Sequence, residues 1–210
     1  MGRLVTFGCS YTYGSGLPDI FVPGNQLYPG AHPSEFAWPQ LLANKLGLKC
    51  LNLASAGSGN KEILYKIITS DFEADDLIII MWSHFPRYDF FRATLDSVSG
   101  VREVRKDIHK RSWLKNTDVI SQEWKNDNAM QNYLAIKFIQ MFLDDKNLNH
   151  YSLFTLPDFV NYTPPFFLDK KKIIRLLQNN FVKDGCPDGM HFGVKSHENL
   201  ANILYDTVNK

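Results

Sequence analysis

Short apolar runs alternate with amphipathic stretches along most of the chain, which is the pattern of strands alternating with helices. Residues 3–7 form the first run, a short buried strand that stops at Gly8. Residues 14–35 then carry Gly14, Gly16, Pro18, Pro23, Gly24, Pro29, Gly30 and Pro33, which predicts a long irregular loop. Pro39 suits the first turn of a helix that runs to about Leu46 and is ended by Gly47. Residues 48–53 read as a second strand, residues 54–59 as a turn of small residues, and residues 60–69 as a helix. Within residues 76–82 the unbroken Leu77-Ile78-Ile79-Ile80-Met81 is what a central parallel strand covered on both faces requires.

From residue 84 to 126 the pattern dissolves into mixed charge and aromatics, which predicts an irregular or partly helical insertion. A long helix is expected over residues 127–143, a fourth strand over 151–156, a helix over 170–179 and a closing amphipathic helix over 194–208. Parallel strands joined through helices demand right-handed crossovers. The expectation is one three-layer α/β/α domain over residues 1–210, with a flavodoxin-like parallel sheet of about five strands. Residues 14–35 and 84–126 would wall its crevice.

Composition changes this picture little. The chain has 210 residues, 44% of them hydrophobic, and a formal net charge of +1, so no global field favours nucleic acid or an acidic membrane. The basic stretch at residues 101–111 reads as a solvated face. Cys9, Cys50 and Cys186 are odd in number and widely spaced, which indicates neither a disulfide framework nor a zinc site. The first apolar run is too short for a secretory signal, and no run reaches membrane-spanning length. A cytoplasmic setting is expected.

Two segments carry chemistry. Phe7-Gly8-Cys9-Ser10-Tyr11-Thr12 follows the first strand, and Asp188-Gly189-Met190-His191 precedes the last helix. Together they supply a serine, a histidine and an aspartate, the inventory of serine-based acyl transfer. In open α/β sheets the ligand crevice lies beyond the carboxyl ends of the strands, and Ser10 falls just there. The three-residue spacing lets one turn bring Asp188 to the His191 Nδ1–H while Nε2 faces the serine. Cys9, the neighbour of Ser10 along the chain, is expected to face the core. His197 and Glu198 are expected at the surface of the closing helix.

These residues resemble the SGNH hydrolases, also called the GDSL esterase and lipase family. Gly8-Cys9-Ser10 resembles its first block, Asn52-Leu53-Ala54-Ser55-Ala56-Gly57 its second and Asp188-Gly189-Met190-His191 its last. The wording around Ser10, with Phe36-Ala37-Trp38-Pro39-Gln40-Leu41-Leu42, is similar to small members from bacteriophages and marine bacteria. The resemblance implies Ser10 as nucleophile, His191 as base and Asp188 as its orienting acid. It implies backbone N–H groups of Ser10 and Gly57 as oxyanion donors. The family's Asp between Gly and Ser is Cys9 here, and its third-block Asn is absent from Trp82-Ser83-His84-Phe85-Pro86-Arg87. Asn60 is the candidate replacement donor, with Ser83, His84 and Arg87 as alternatives.

The function expected from these residues and the resemblance is that of an esterase acting on a small ester or an O-acylated carbohydrate. No metal or organic cofactor and no nucleic-acid or membrane partner is expected, and the oligomeric state is left open. Two other classes compete. A catalytically impaired carbohydrate-binding or structural protein would keep the fold while lacking the third block. A nucleotide binder would use Gly57-Ser58-Gly59-Asn60-Lys61-Glu62 at the start of a helix. In that motif Glu62 occupies a place reserved for a small residue, and the motif follows the second strand rather than the first.

Overall fold

The computed structural model describes residues 2–23, 30–85, 122–154, 166–176, 182 and 184–209, with side chains of the long helix described from residue 129. Five strands are present: β1 (Arg3–Phe7), β2 (Lys49–Asn52), β3 (Leu77–Met81), β4 (Asn149–Phe154) and β5 (Ile173–Arg175). They form one sheet in the order β2-β1-β3-β4-β5, and every neighbouring pair is parallel. The helices are α1 (Ser10–Tyr13), α2 (Trp38–Leu46), α3 (Asn60–Ile68), α4 (Gln122–Asp145) and α5 (Val194–Val208).

Alternation along the central strands builds the two cores. Val5 and Phe7 of β1 and Ile78 and Ile80 of β3 face α3 and α4, where they meet Ile63, Ile67, Tyr133, Ile136 and Ile139. Leu4, Ile79 and Met81 point the other way, to Trp38 and Leu42 of α2 and Leu200 and Leu204 of α5. This is the expected three-layer α/β/α arrangement with flavodoxin-like winding. In that strand order the direction of winding reverses at β1 and β3, which opens a crevice beyond their carboxyl ends.

Local chemistry explains most boundaries. Pro39 occupies the first turn of α2, where its missing N–H costs nothing, and Gly47 closes the helix at φ 67°. Helix α4 starts five residues before the expected position, and β4 lies two residues earlier than expected. Residues 170–179 contradict the expected helix: a single 3₁₀ turn over Lys170–Lys172 leads into β5. Lys-Lys-Lys-Ile-Ile-Arg-Leu-Leu carries a helical spacing, but the edge of β4 offers unpaired backbone groups, and Leu176 N–H donates to Phe154 O at 2.9 Å. The remainder of that predicted helix lies outside the described residues, as do residues 86–121 of the predicted insertion and the basic stretch 101–111.

The described parts of the 14–35 loop are irregular, as expected, and well anchored. Asp19 accepts hydrogen bonds from Ser34 Oγ at 2.6 Å and Glu35 N–H at 2.7 Å, and Leu17 is fully buried. His197 is a correction: it is 4% exposed, not superficial. Its Nδ1 accepts the Trp38 N–H at 3.1 Å, tying the start of α2 to α5, and burial pushes its pKa down to about 4.

Candidate functional site

Ser10 stands just past the carboxyl end of β1, where close packing fixes the turn. A Cβ on Gly8 would lie 2.1 Å from Thr12 Oγ1 and 3.1 Å from Met81 O, so only glycine fits. Cys9 caps α1 in an extended conformation, its carbonyl accepting the Thr12 and Tyr13 N–H groups at 3.0 Å each. The Cys9 side chain is buried, as expected. Ser10 is itself 8% exposed, at the head of this single turn, and Gly14 ends the turn at φ 83°. Asn52 braces the same turn from β2 by donating to Thr12 O at 2.8 Å.

The Asp188–His191 loop is a self-contained unit. Asp188 Oδ2 lies 2.6 Å from His191 Nδ1, while Oδ1 accepts the Met190 and His191 N–H groups at 2.9 and 3.1 Å. Burial pushes the Asp188 carboxyl up, but these donors outweigh it and hold the group below the usual carboxylate range. An ionised Asp188 places the proton on Nδ1 and leaves Nε2 as the basic nitrogen. Gly189 takes φ 68° to close the turn. Cys186 N–H donates to His191 O at 3.0 Å, and the Cys186 thiol donates to Phe192 O at 2.7 Å. Burial, reinforced by Asp188 and Asp184, pushes that thiol up to about 12, so it remains a donor.

Contacts from Tyr11 of α1 and from Gly16 beyond it seat this loop. The ring of Tyr11, next to Ser10 in the chain, meets His191 edge-on at 5.4 Å between centroids and packs on Phe192 at 5.2 Å. Gly16 lies so close to Asp188 that a Cβ there would come within 2.3 Å of Oδ2. The Ser10 turn and the His191 loop therefore converge at the crevice. Among the described residues no hydrogen bond joins Ser10 Oγ to His191, a contact that in unliganded sites commonly tightens when substrate binds.

Beside β1, the β2–α3 loop turns through Gly57 at φ 83°. It is stitched to β1 by Leu53 N–H to Thr6 O at 2.8 Å and Ser55 N–H to Gly8 O at 3.1 Å. Asn60 begins α3 and is buried. Its Nδ2 donates to Ser83 O at 3.0 Å and to Asn132 Oδ1 at 2.7 Å, while its Oδ1 accepts the Ser83 N–H at 2.7 Å. The amide thus clamps both backbone groups of Ser83, at the end of β3 where the expected asparagine is missing. Of the alternative donors, Ser83 is fully buried, and Arg87 lies outside the described residues.

Sequence reasoning missed Tyr11, Gly16, Asn132 and Lys66 as supports of this region. Tyr11 adjoins a proposed nucleophile, and Gly16 belongs to a glycine-rich loop, so both left a local trace. Asn132 meets Asn60 from 72 residues away and left none.

No protein-family model and no curated protein matches the chain. Solved structures do. One is a carbohydrate esterase whose active site displays divergent catalytic and non-catalytic binding functions, at 14% identity and TM-score 0.56, covering 99% of this chain and 64% of that one. Another is the acetyl xylan esterase Est2A from the rumen bacterium Butyrivibrio proteoclasticus, at 16% identity and TM-score 0.57, covering 99% of this chain and 63% of that one. The chain is similar to both in fold, and it spans a little under two thirds of the length of either.

Proposed function

We propose that this chain is a serine esterase that deacylates a small ester or an O-acylated carbohydrate. The observation that carries the reading is the Asp188–His191 pair, bonded at 2.6 Å and packed through Tyr11 against the turn that bears Ser10. The likeness in fold to two carbohydrate esterases supports the class of substrate.

In the proposed reaction His191 Nε2 takes the Ser10 Oγ proton as Oγ attacks the acyl carbon. The carbonyl electron pair moves onto oxygen, held by the backbone N–H groups of Ser10 and Gly57. Neither N–H has a partner among the described residues. Asn60 would be the third donor by exchanging one of its two amide bonds for one to the oxyanion. Collapse of the tetrahedral species breaks the ester C–O bond, and the leaving alcohol takes the proton from His191. Water then attacks the acyl-enzyme, giving its proton to His191, and the carboxylic acid departs with Ser10 restored. Asp188, held ionised, fixes the ring and stabilises the imidazolium in both halves.

The test is turnover of a short-chain aryl ester together with labelling by a fluorophosphonate. Ser10→Ala and His191→Ala should each reduce kcat by about 10⁴–10⁶-fold. Unchanged turnover in Ser10→Ala would remove it as nucleophile. A second reading, a binding protein on the same fold, rests on the engaged amide of Asn60 and the missing third-block asparagine. It predicts retention of acylated glycan with neither turnover nor labelling.

A further inference from the structure

Lys66, on the second turn of α3, places its ammonium against the loop that carries Gly57. Nζ donates to Leu53 O at 2.8 Å and to Ser55 Oγ in a very short contact, with Glu62 Oε1 at 3.6 Å one helical turn back. The Lys66 side chain is 29% exposed and that of Glu62 10%, so the pair is partly shielded from water. A lysine in such a place is usually expected to extend its charged end outward. Here it meets two acceptors that belong to one loop.

Ser55 is the node of that loop. Its N–H donates to Gly8 O at 3.1 Å, beside the nucleophile turn, and its carbonyl accepts the Ser58 N–H at 3.2 Å, closing the turn in which Gly57 adopts φ 83°. Its hydroxyl is the group that Lys66 holds. Charge-assisted bonds to Leu53 O and Ser55 Oγ fix the loop at two points directly before Gly57. We propose that Lys66 is a positioning residue, acting through Ser55 to hold the Gly57 N–H at the oxyanion; this rests on the esterase reading above. An oxyanion donor stabilises the transition state only if it is already aimed before charge develops. Loosening the latch therefore weakens transition-state binding while leaving the substrate's ground-state contacts in place.

The experiment compares steady-state kinetics of wild type, Lys66→Met, Lys66→Arg, Ser55→Ala and the Lys66→Met/Ser55→Ala double variant on a short-chain aryl ester. Losing one oxyanion donor costs about 10²–10³ in rate, so a donor merely loosened should cost about 10–10²-fold in kcat, with KM within about twofold. Lys66→Arg should recover most of that loss. The double variant should be no slower than the worse single one, because both break the same link. An unchanged kcat in Lys66→Met, or a fall in KM and kcat that arginine does not repair, overturns the positioning role. If Lys66→Met does not fold, Ser55→Ala decides: a lower kcat at constant KM supports the role, and an unchanged kcat rejects it. Wild type with neither turnover nor fluorophosphonate labelling would instead refute the esterase reading and remove the positioning role with it.

Discussion

Among single residues, His197 gives the clearest link between burial and a measurable pH effect. Its Nδ1 must stay unprotonated to accept the Trp38 N–H, and burial lowers its pKa from 6.5 to about 4. In the unfolded chain the same ring protonates near 6.5, so between those values the unfolded state binds more protons than the folded one. The stabilisation is whole above about pH 6.5 and is lost as pH falls towards 4, a total of roughly 3 kcal/mol at about 1.36 kcal/mol per unit. His197→Asn supplies an amide oxygen near the Nδ1 position and cannot titrate. The gap between urea midpoints at pH values of about 7 and about 4.5 should be smaller for that variant than for wild type, what remains belonging to groups such as the buried His150, whose pKa is also lowered. Equal divergence in both would show that another group carries the acid sensitivity.

At the scale of elements, α5 has a cap that is remote in sequence. Gly193 occupies the cap position and has no side chain to offer, so Asp184 reaches in from the preceding loop. Asp184 Oδ2 accepts the Lys195 N–H at 2.8 Å and the Ser196 N–H at 3.3 Å, and Oδ1 accepts from the Ser196 hydroxyl. Burial raises its carboxyl pKa, but these donors outweigh that and hold it below the usual range. Asp184→Ala should cost about 1–2 kcal/mol, read from the urea midpoint, the usual loss for an N-cap. Asp184 and Gly185 also begin the loop that presents His191, and Gly185 pairs with Phe192 across it. The same variant should therefore lower kcat on the aryl ester.

The elements also show what a sequence exposes. Strands β1 and β3 and the Asp188–His191 pair were legible because their determinants are local: an apolar run, or two residues one turn apart. Strand β5 was not, since Ile173 and Ile174 become a strand only against β4. The burial of His197 was equally hidden, because its partner Trp38 lies 159 residues away. Lys66 fell between these cases: its spacing from Glu62 suggests an ordinary surface pair, and only the folded loop reveals Leu53 and Ser55 as partners.

For the molecule as a whole, the sheet sets a hierarchy of rigidity. Strands β1 and β3 are central and covered on both faces, whereas β5 is a three-residue edge. Amides of β1 and β3 should be the slowest to exchange with deuterium and those of β5 among the fastest strand amides. Exchange of β1 as fast as β5 would contradict the two-core packing. The site inherits this order, with Ser10 rooted on the rigid centre and His191 carried on a loop seated by Tyr11 and Gly16.

That arrangement has a consequence for biosynthesis. The ribosome makes Ser10 well before His191, and strands β2 to β5 emerge in the interval. A nascent chain thus carries the proposed nucleophile without its base for as long as the sheet is being made. The proposed ester turnover would then reach its full rate only with the Asp188–His191 loop, and a half-assembled product would lack the base that activates the serine.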